Sequence, residues 1–125
     1  MSAELTGQTV ELLQALIRNE CVNDGTGDSG DETRNAEVLQ QYLGDTGLEL
    51  QQFGPTANRQ SLVARIEGTD PDAPSLCLMG HTDVVPVNEA GWTQDPFGGE
   101  LIDGPNGPEV WGRGAVDMLN LTSSM

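Results

Sequence analysis

The chain has 125 residues, of which 36% are hydrophobic, with two tryptophans, two phenylalanines and one tyrosine, enough for one modest core. Twenty acidic residues stand against five basic ones, all arginines, for a net charge of −15. Such a surface repels phosphate backbones and anionic lipid, which argues against nucleic-acid and membrane partners.

The opening Met1-Ser2-Ala3-Glu4-Leu5 has neither the basic flank nor the apolar stretch of a secretory signal, so a cytoplasmic protein is expected. Residues 6–19 place Val10, Leu12, Leu13, Leu16 and Ile17 on one broad stripe, as an amphipathic helix does. A polar, glycine-rich segment follows over residues 23–32 and loosely resembles a calcium loop. It lacks the central glycine and terminal glutamate of an EF-hand. An ordinary loop ending in a Ser29/Glu32 capping box is the simpler reading, with a divalent-ion module as the alternative. A second helix is predicted over residues 31–43, with Val38, Leu39, Tyr42 and Leu43 on one side and Gly44 as its stop.

Three extended runs come next, residues 48–53, 61–66 and 75–79, separated by turn-rich stretches containing Gly54-Pro55 and Asp70-Pro71. The third run shows no polar alternation, so it reads as a central strand covered on both faces, with Cys77 a buried thiol. The only other cysteine is Cys21, and neither sits in a disulfide or zinc-knuckle spacing. A hairpin is predicted between residues 99–103 and 109–112, with Asn106-Gly107 near its tip. Residues 119–125 look like the opening of another helix.

Chemistry concentrates at Gly80-His81-Thr82-Asp83-Val84-Val85-Pro86, directly after the third run. Ligands of open α/β sheets gather beyond the carboxyl ends of strands, and His81, the only histidine, stands at such an end. Side chains two apart in an extended segment share a side. The Asp83 carboxylate can therefore accept the ring N–H while the other ring nitrogen faces a metal. Taken alone, His81 could equally be structural, Asp83 could cap a turn and Asp117 could cap a helix.

His81-Thr82-Asp83-Val84-Val85-Pro86, then Trp92 with Asp95-Pro96-Phe97, then Gly112-Arg113-Gly114-Ala115 with Asp117-Met118, together resemble the co-catalytic zinc metallopeptidase family M-twenty. Its members include acetylornithine deacetylase, succinyl-diaminopimelate desuccinylase, carboxypeptidase G and various dipeptidases. The resemblance implies an α/β fold, a three-layer αβα catalytic domain of which residues 1–125 would be the incomplete N-terminal segment. A lid or dimerisation domain, and with it a possible homodimer contact, would lie outside the chain.

The same resemblance implies that His81 ligates one of two zinc ions, with cobalt or manganese as possible substitutes, and that Asp117 bridges both. Asp83 would serve catalysis by steadying the His81 ring. The expected reaction is cleavage of a peptide or N-acyl amino acid amide by a metal-bridged hydroxide. A cis peptide at Asp117–Met118 is also implied. Gly112 and Gly114 would allow a sharp turn before Asp117. Trp92 and Phe97 read as loop packing and Arg113 as a structural hydrogen-bonder.

The chain departs from many relatives at Leu119-Asn120, where they carry Lys-Gly, which puts the substrate subclass in question. The family's Glu-Glu pair and its remaining ligands are not found before Met125, so these residues alone are expected to be inactive. A non-enzymatic relative using the same fold for binding is the alternative.

Overall fold

The structure is a computed structural model describing residues 2–125; Met1, part of the opening segment read above, lies outside them. Helix α1 spans Ala3–Arg18 and starts earlier than the apolar periodicity indicates, because Ser2 caps it. The Ser2 hydroxyl accepts the Leu5 N–H at 3.2 Å, satisfying one of the donors that a helix start leaves free. Leu12, Leu13, Leu16 and Ile17 are buried and form the centre of the core.

Beyond α1 the chain forms a single parallel bridge in which Val22 pairs with Val84. The Val84 N–H donates to the Cys21 carbonyl and the Asn23 N–H to the Val84 carbonyl, both at 2.8 Å. This bridge lays the end of the first helical unit beside the His-x-Asp segment. Cys21 is buried here, and its thiol donates to the Asp31 carbonyl at 3.3 Å.

Helix α2 spans Thr33–Leu43, and the expected Ser29/Glu32 capping box does not form. The Ser29 hydroxyl closes its own turn, accepting from the Asp24 N–H and donating to the Thr26 carbonyl. Glu32 instead pairs with Arg59 at 2.6 Å, a half-buried ion pair that outcompetes a backbone amide for the carboxylate. Asn35 and Ala36 are the buried residues of α2; Val38 and Leu39 pack on the core, while Tyr42 is 46% exposed. The α-helix ends at Leu43 with Gly44 as its C-cap, as expected; a 3-10 turn, Gly44–Thr46, follows, and the chain reverses at Gly47.

Strands β1 (Glu49–Thr56) and β2 (Arg59–Arg65) make an antiparallel hairpin with Phe53 opposite Ser61 and Glu49 opposite Arg65. Thr33 at the head of α2 anchors its tip, donating its N–H to the Asn58 carbonyl and its hydroxyl to the Ala57 carbonyl. The third predicted strand is corrected by the structure. Residues 75–79 join no sheet, and Leu76, Leu78 and Met79 are exposed, as is Cys77. An apolar run becomes a two-faced buried strand only when neighbours pair with it on both edges, and among the described residues none does.

Strands β3 (Glu100–Gly104) and β4 (Gly107–Trp111) form the second hairpin, turning through Pro105 and Asn106. It is tied to α1 by Gln14, which donates to the Gly99 carbonyl at 2.6 Å, and by Arg18, which donates to the Gly98 carbonyl at 2.9 Å. Helix α3 spans Leu119–Ser124, and Leu119 enters the core beside Val84. The fold is therefore an α/β mixture in which both sheets among the described residues are two-stranded and antiparallel. Among those residues no helix is long and apolar enough to cross a membrane.

Candidate metal centre

One close backbone approach and one chain reversal bring the site together. After β4 the backbone passes so close to α1 that a Cβ at Gly112 would stand 2.7 Å from Ile17 Cγ2. At Gly114 the backbone is left-handed, with φ of 85°, and a Cβ would meet Val84 Cγ1 at 2.6 Å and Leu119 Cδ1 at 2.8 Å. Of the two glycines only Gly114 supplies the turn; Gly112 supplies the close approach. The Leu119 N–H then donates to the Gly114 carbonyl, which sets the start of α3. Asp117 is carried on this turn, immediately before the one cis peptide among the described residues, Asp117–Met118.

The turn delivers Asp117 to His81. His81 Nε2 lies 3.2 Å from Asp117 Oδ1, and Nδ1 lies 3.0 Å from both the carbonyl oxygen and the Oδ1 carboxylate oxygen of Asp83. All three residues singled out in the sequence thus meet in one place; His81 and Asp117 line a cleft of about 260 Å³ together with Val85, Arg113 and Val116, and Asp83 stands behind the His81 ring. The Asp117 side chain is 90% exposed, whereas that of Asp83 is only 27% exposed. One acceptor is therefore held by protein and the other stands in solvent.

Partial burial pulls the His81 pKa down. The hydrogen bonds to the Asp83 carbonyl and the Asp117 carboxylate, with the charges of both carboxylates, outweigh it and leave the pKa above its ordinary 6.5.

A polar network behind the site escaped the sequence reading. Asn35, fully buried on α2, donates to the Thr82 carbonyl at 2.9 Å and accepts from Asn19 at 2.8 Å, fixing the backbone between His81 and Asp83. Asn23 donates its side-chain amide to Asp83 Oδ2 at 2.8 Å. The Thr122 hydroxyl on α3 donates to the His81 carbonyl at 3.3 Å. The only signal for Asn35 is a polar residue on the apolar side of a helix, which periodicity treats as noise.

The neighbouring residues are structural. Phe97 packs on the core. Trp92 meets Trp111 edge-on with centroids 5.7 Å apart, and the Arg113 guanidinium lies 5.2 Å from the Trp92 ring centre while donating to the Pro86 carbonyl at 3.4 Å. Three carboxylates of the acidic segment are engaged by protein groups: Asp24 is hydrogen-bonded by the hydroxyl and N–H of Thr26, which hold its pKa down at about 2, Asp31 pairs with Arg34 and Glu32 with Arg59.

An imidazole nitrogen facing a carboxylate oxygen is a donor set of the kind that zinc accepts, and it amounts to half of a tetrahedral shell. Among the described residues no group of three or more His, Cys, Asp or Glu side chains gathers in a way that could hold a metal. Any further donors would have to come from outside these residues.

No protein-family model matches the chain. Individual proteins do. Succinyl-diaminopimelate desuccinylase of Caulobacter sp. (strain K31) is 44% identical over 113 residues, covering 88% of this chain and 25% of that protein. The protein of the same name from Rhodospirillum centenum is 41% identical over 111 residues, covering 87% of this chain and 26% of its own length. Acetylornithine deacetylase of Edwardsiella ictaluri is 38% identical over 117 residues, covering 90% of this chain and 28% of that protein. The chain thus spans about a quarter of the length of the curated relatives it matches. With this likeness covering nearly nine-tenths of its residues, the chain belongs to the family that contains succinyl-diaminopimelate desuccinylase and acetylornithine deacetylase.

Proposed function

We propose that this chain is the N-terminal segment, residues 1–125, of the catalytic domain of a metal-dependent amidohydrolase, one that removes an acyl group from an N-acyl amino acid or cleaves a small peptide. The reading is carried by the meeting of His81 Nε2 and Asp117 Oδ1 at 3.2 Å in a chain whose relatives are named as a desuccinylase and a deacetylase. In the longer protein these helices and hairpins would form part of a three-layer αβα domain. A cytoplasmic location and a homodimer built through a separate domain belong to the same reading.

His81 and Asp117 would hold divalent ions, zinc first and cobalt or manganese as substitutes. Bound ions supply activation of water and polarisation of the scissile carbonyl. The chain's own residues prepare for this. Asp83 Oδ1 stands 3.0 Å from Nδ1, placed to accept its N–H and orient the ring, with Nε2 directed at Asp117. Asn35 and Thr122 hold the backbone on either side, so that the imidazole is placed before any ligand arrives.

The test is turnover by the full-length gene product supplied with zinc, cobalt or manganese, assayed on N-succinyl-diaminopimelate, N-acetylornithine and dipeptides. Hydrolysis of one class is expected, with His81→Ala and Asp117→Ala each lowering kcat/KM by at least about a hundredfold, a loss of about 2.7 kcal/mol in transition-state stabilisation. Undiminished turnover in both variants refutes the assignment. Residues 1–125 expressed alone are expected to show none.

A further inference from the structure

We propose that Asn23 is a positioning residue that selects the Nδ1–H tautomer of His81 and thereby keeps Nε2 free for a metal. The metal consequence rests on the proposed function; the tautomer choice does not.

The amide orientation of Asn23 is determined by its neighbours. Its Oδ1 accepts the Gly25 N–H at 2.9 Å, so Nδ2 must face the other way, toward Asp83 Oδ2 at 2.8 Å. A carboxylate only accepts, which makes Nδ2 the donor. The Asn23 backbone is in turn fixed by its N–H bond to the Val84 carbonyl within the Val22–Val84 bridge. With Oδ2 taken by Asn23, Asp83 presents Oδ1 to the ring at 3.0 Å, beside its own carbonyl oxygen at the same distance.

A neutral imidazole has one N–H, and here the two nitrogens compete for it. Nδ1 faces two acceptors, one of them a carboxylate clamped at its far oxygen. Nε2 faces one acceptor, Asp117 Oδ1 at 3.2 Å, on a side chain that is 90% exposed and shared with solvent. The proton belongs on Nδ1 as long as Asp83 stays clamped. Remove the clamp, and Asp83 is free to turn toward water; the balance then moves to Nε2–H, which donates to Asp117 and closes the coordinating nitrogen.

His81 is the only histidine in the chain, so its ring gives one set of signals in a long-range ¹H–¹⁵N spectrum. In the metal-free 125-residue chain, at a pH where the ring is neutral, the wild type is expected to show a protonated Nδ1 and a bare Nε2. Asn23→Ser keeps an acceptor for the Gly25 N–H but falls short of Asp83, and Asn23→Ala removes both functions. Both are expected to shift the ring toward Nε2–H, with circular dichroism unchanged, and, in the full-length gene product, to weaken zinc binding about tenfold. A wild-type-like tautomer in both variants overturns the role of Asn23. Zinc binding left intact by His81→Ala overturns the metal reading instead, and the metal-free tautomer spectra still decide what Asn23 does.

Discussion

Asp117 Oδ1 stands 3.2 Å from His81 Nε2 across 36 residues of chain, and no sequence-local element joins them. What joins them is the core. Val84, three residues after His81, packs with Leu119, two residues after Asp117, and Gly114 lets the two come together.

Asp117 makes its contact from a side chain that is 90% exposed, so its removal leaves no buried group behind. Asp117→Ala is expected to change stability by less than about 0.5 kcal/mol while lowering zinc affinity at least tenfold. Thermal melting and calorimetric zinc titration on the same preparation check this; a large loss of stability would mark Asp117 as a structural residue.

Asn35 is fully buried and bridges Asn19 to the Thr82 carbonyl. Asn35→Ala leaves the half-buried Asn19 amide and Thr82 carbonyl without their protein partner and empties a buried site, at a cost of about 1 kcal/mol or more. Urea unfolding measures it, and a midpoint equal to the wild type would mean that the network contributes nothing net.

Gly114 combines φ of 85° with a Cβ path blocked by Val84 and Leu119. Gly114→Ala is expected to destabilise the chain by about 1–3 kcal/mol through backbone strain and overpacking together. Denaturation curves that superimpose on the wild type would contradict the packing described here.

The two thiols should behave oppositely. Cys77 is exposed, whereas burial pushes the Cys21 thiol from 9.0 up to about 11. An aromatic disulfide reagent at neutral pH should label one thiol rapidly, and Cys77→Ser should abolish that phase. Because the folded state holds the Cys21 proton more tightly than the unfolded chain, the stability linked to it is intact below about pH 9 and is lost as pH rises toward about 11. With no lysine in the chain, this alkaline decline of at most about 2.7 kcal/mol has few competitors and should flatten in Cys21→Ala. A slope unaltered by that substitution would assign the decline elsewhere.

Local pattern was enough to recognise α1, the extended character of β1 and β2, the second hairpin and the start of α3, since each follows from short-range periodicity or turn chemistry; the pairing of β1 with β2 came only from the structure. It met the end of α2 at Leu43 and misjudged its start, because Glu32 is drawn to Arg59, a partner 27 residues away. It misjudged residues 75–79 for a related reason. Apolar composition states what a segment can bury, and the strands available to pair with it decide whether it does.

The residue types at positions 81, 83 and 117 were written in the linear order of the chain, along with the chemistry such groups can perform. Their convergence was implied only by the family resemblance and not by any local pattern, and the supporting amides of Asn23 and Asn35 were not foreseen at all. Those depend on long-range packing, in which Val22, Val84, Gly114 and Leu119 settle distances of a few ångströms that no spacing rule encodes.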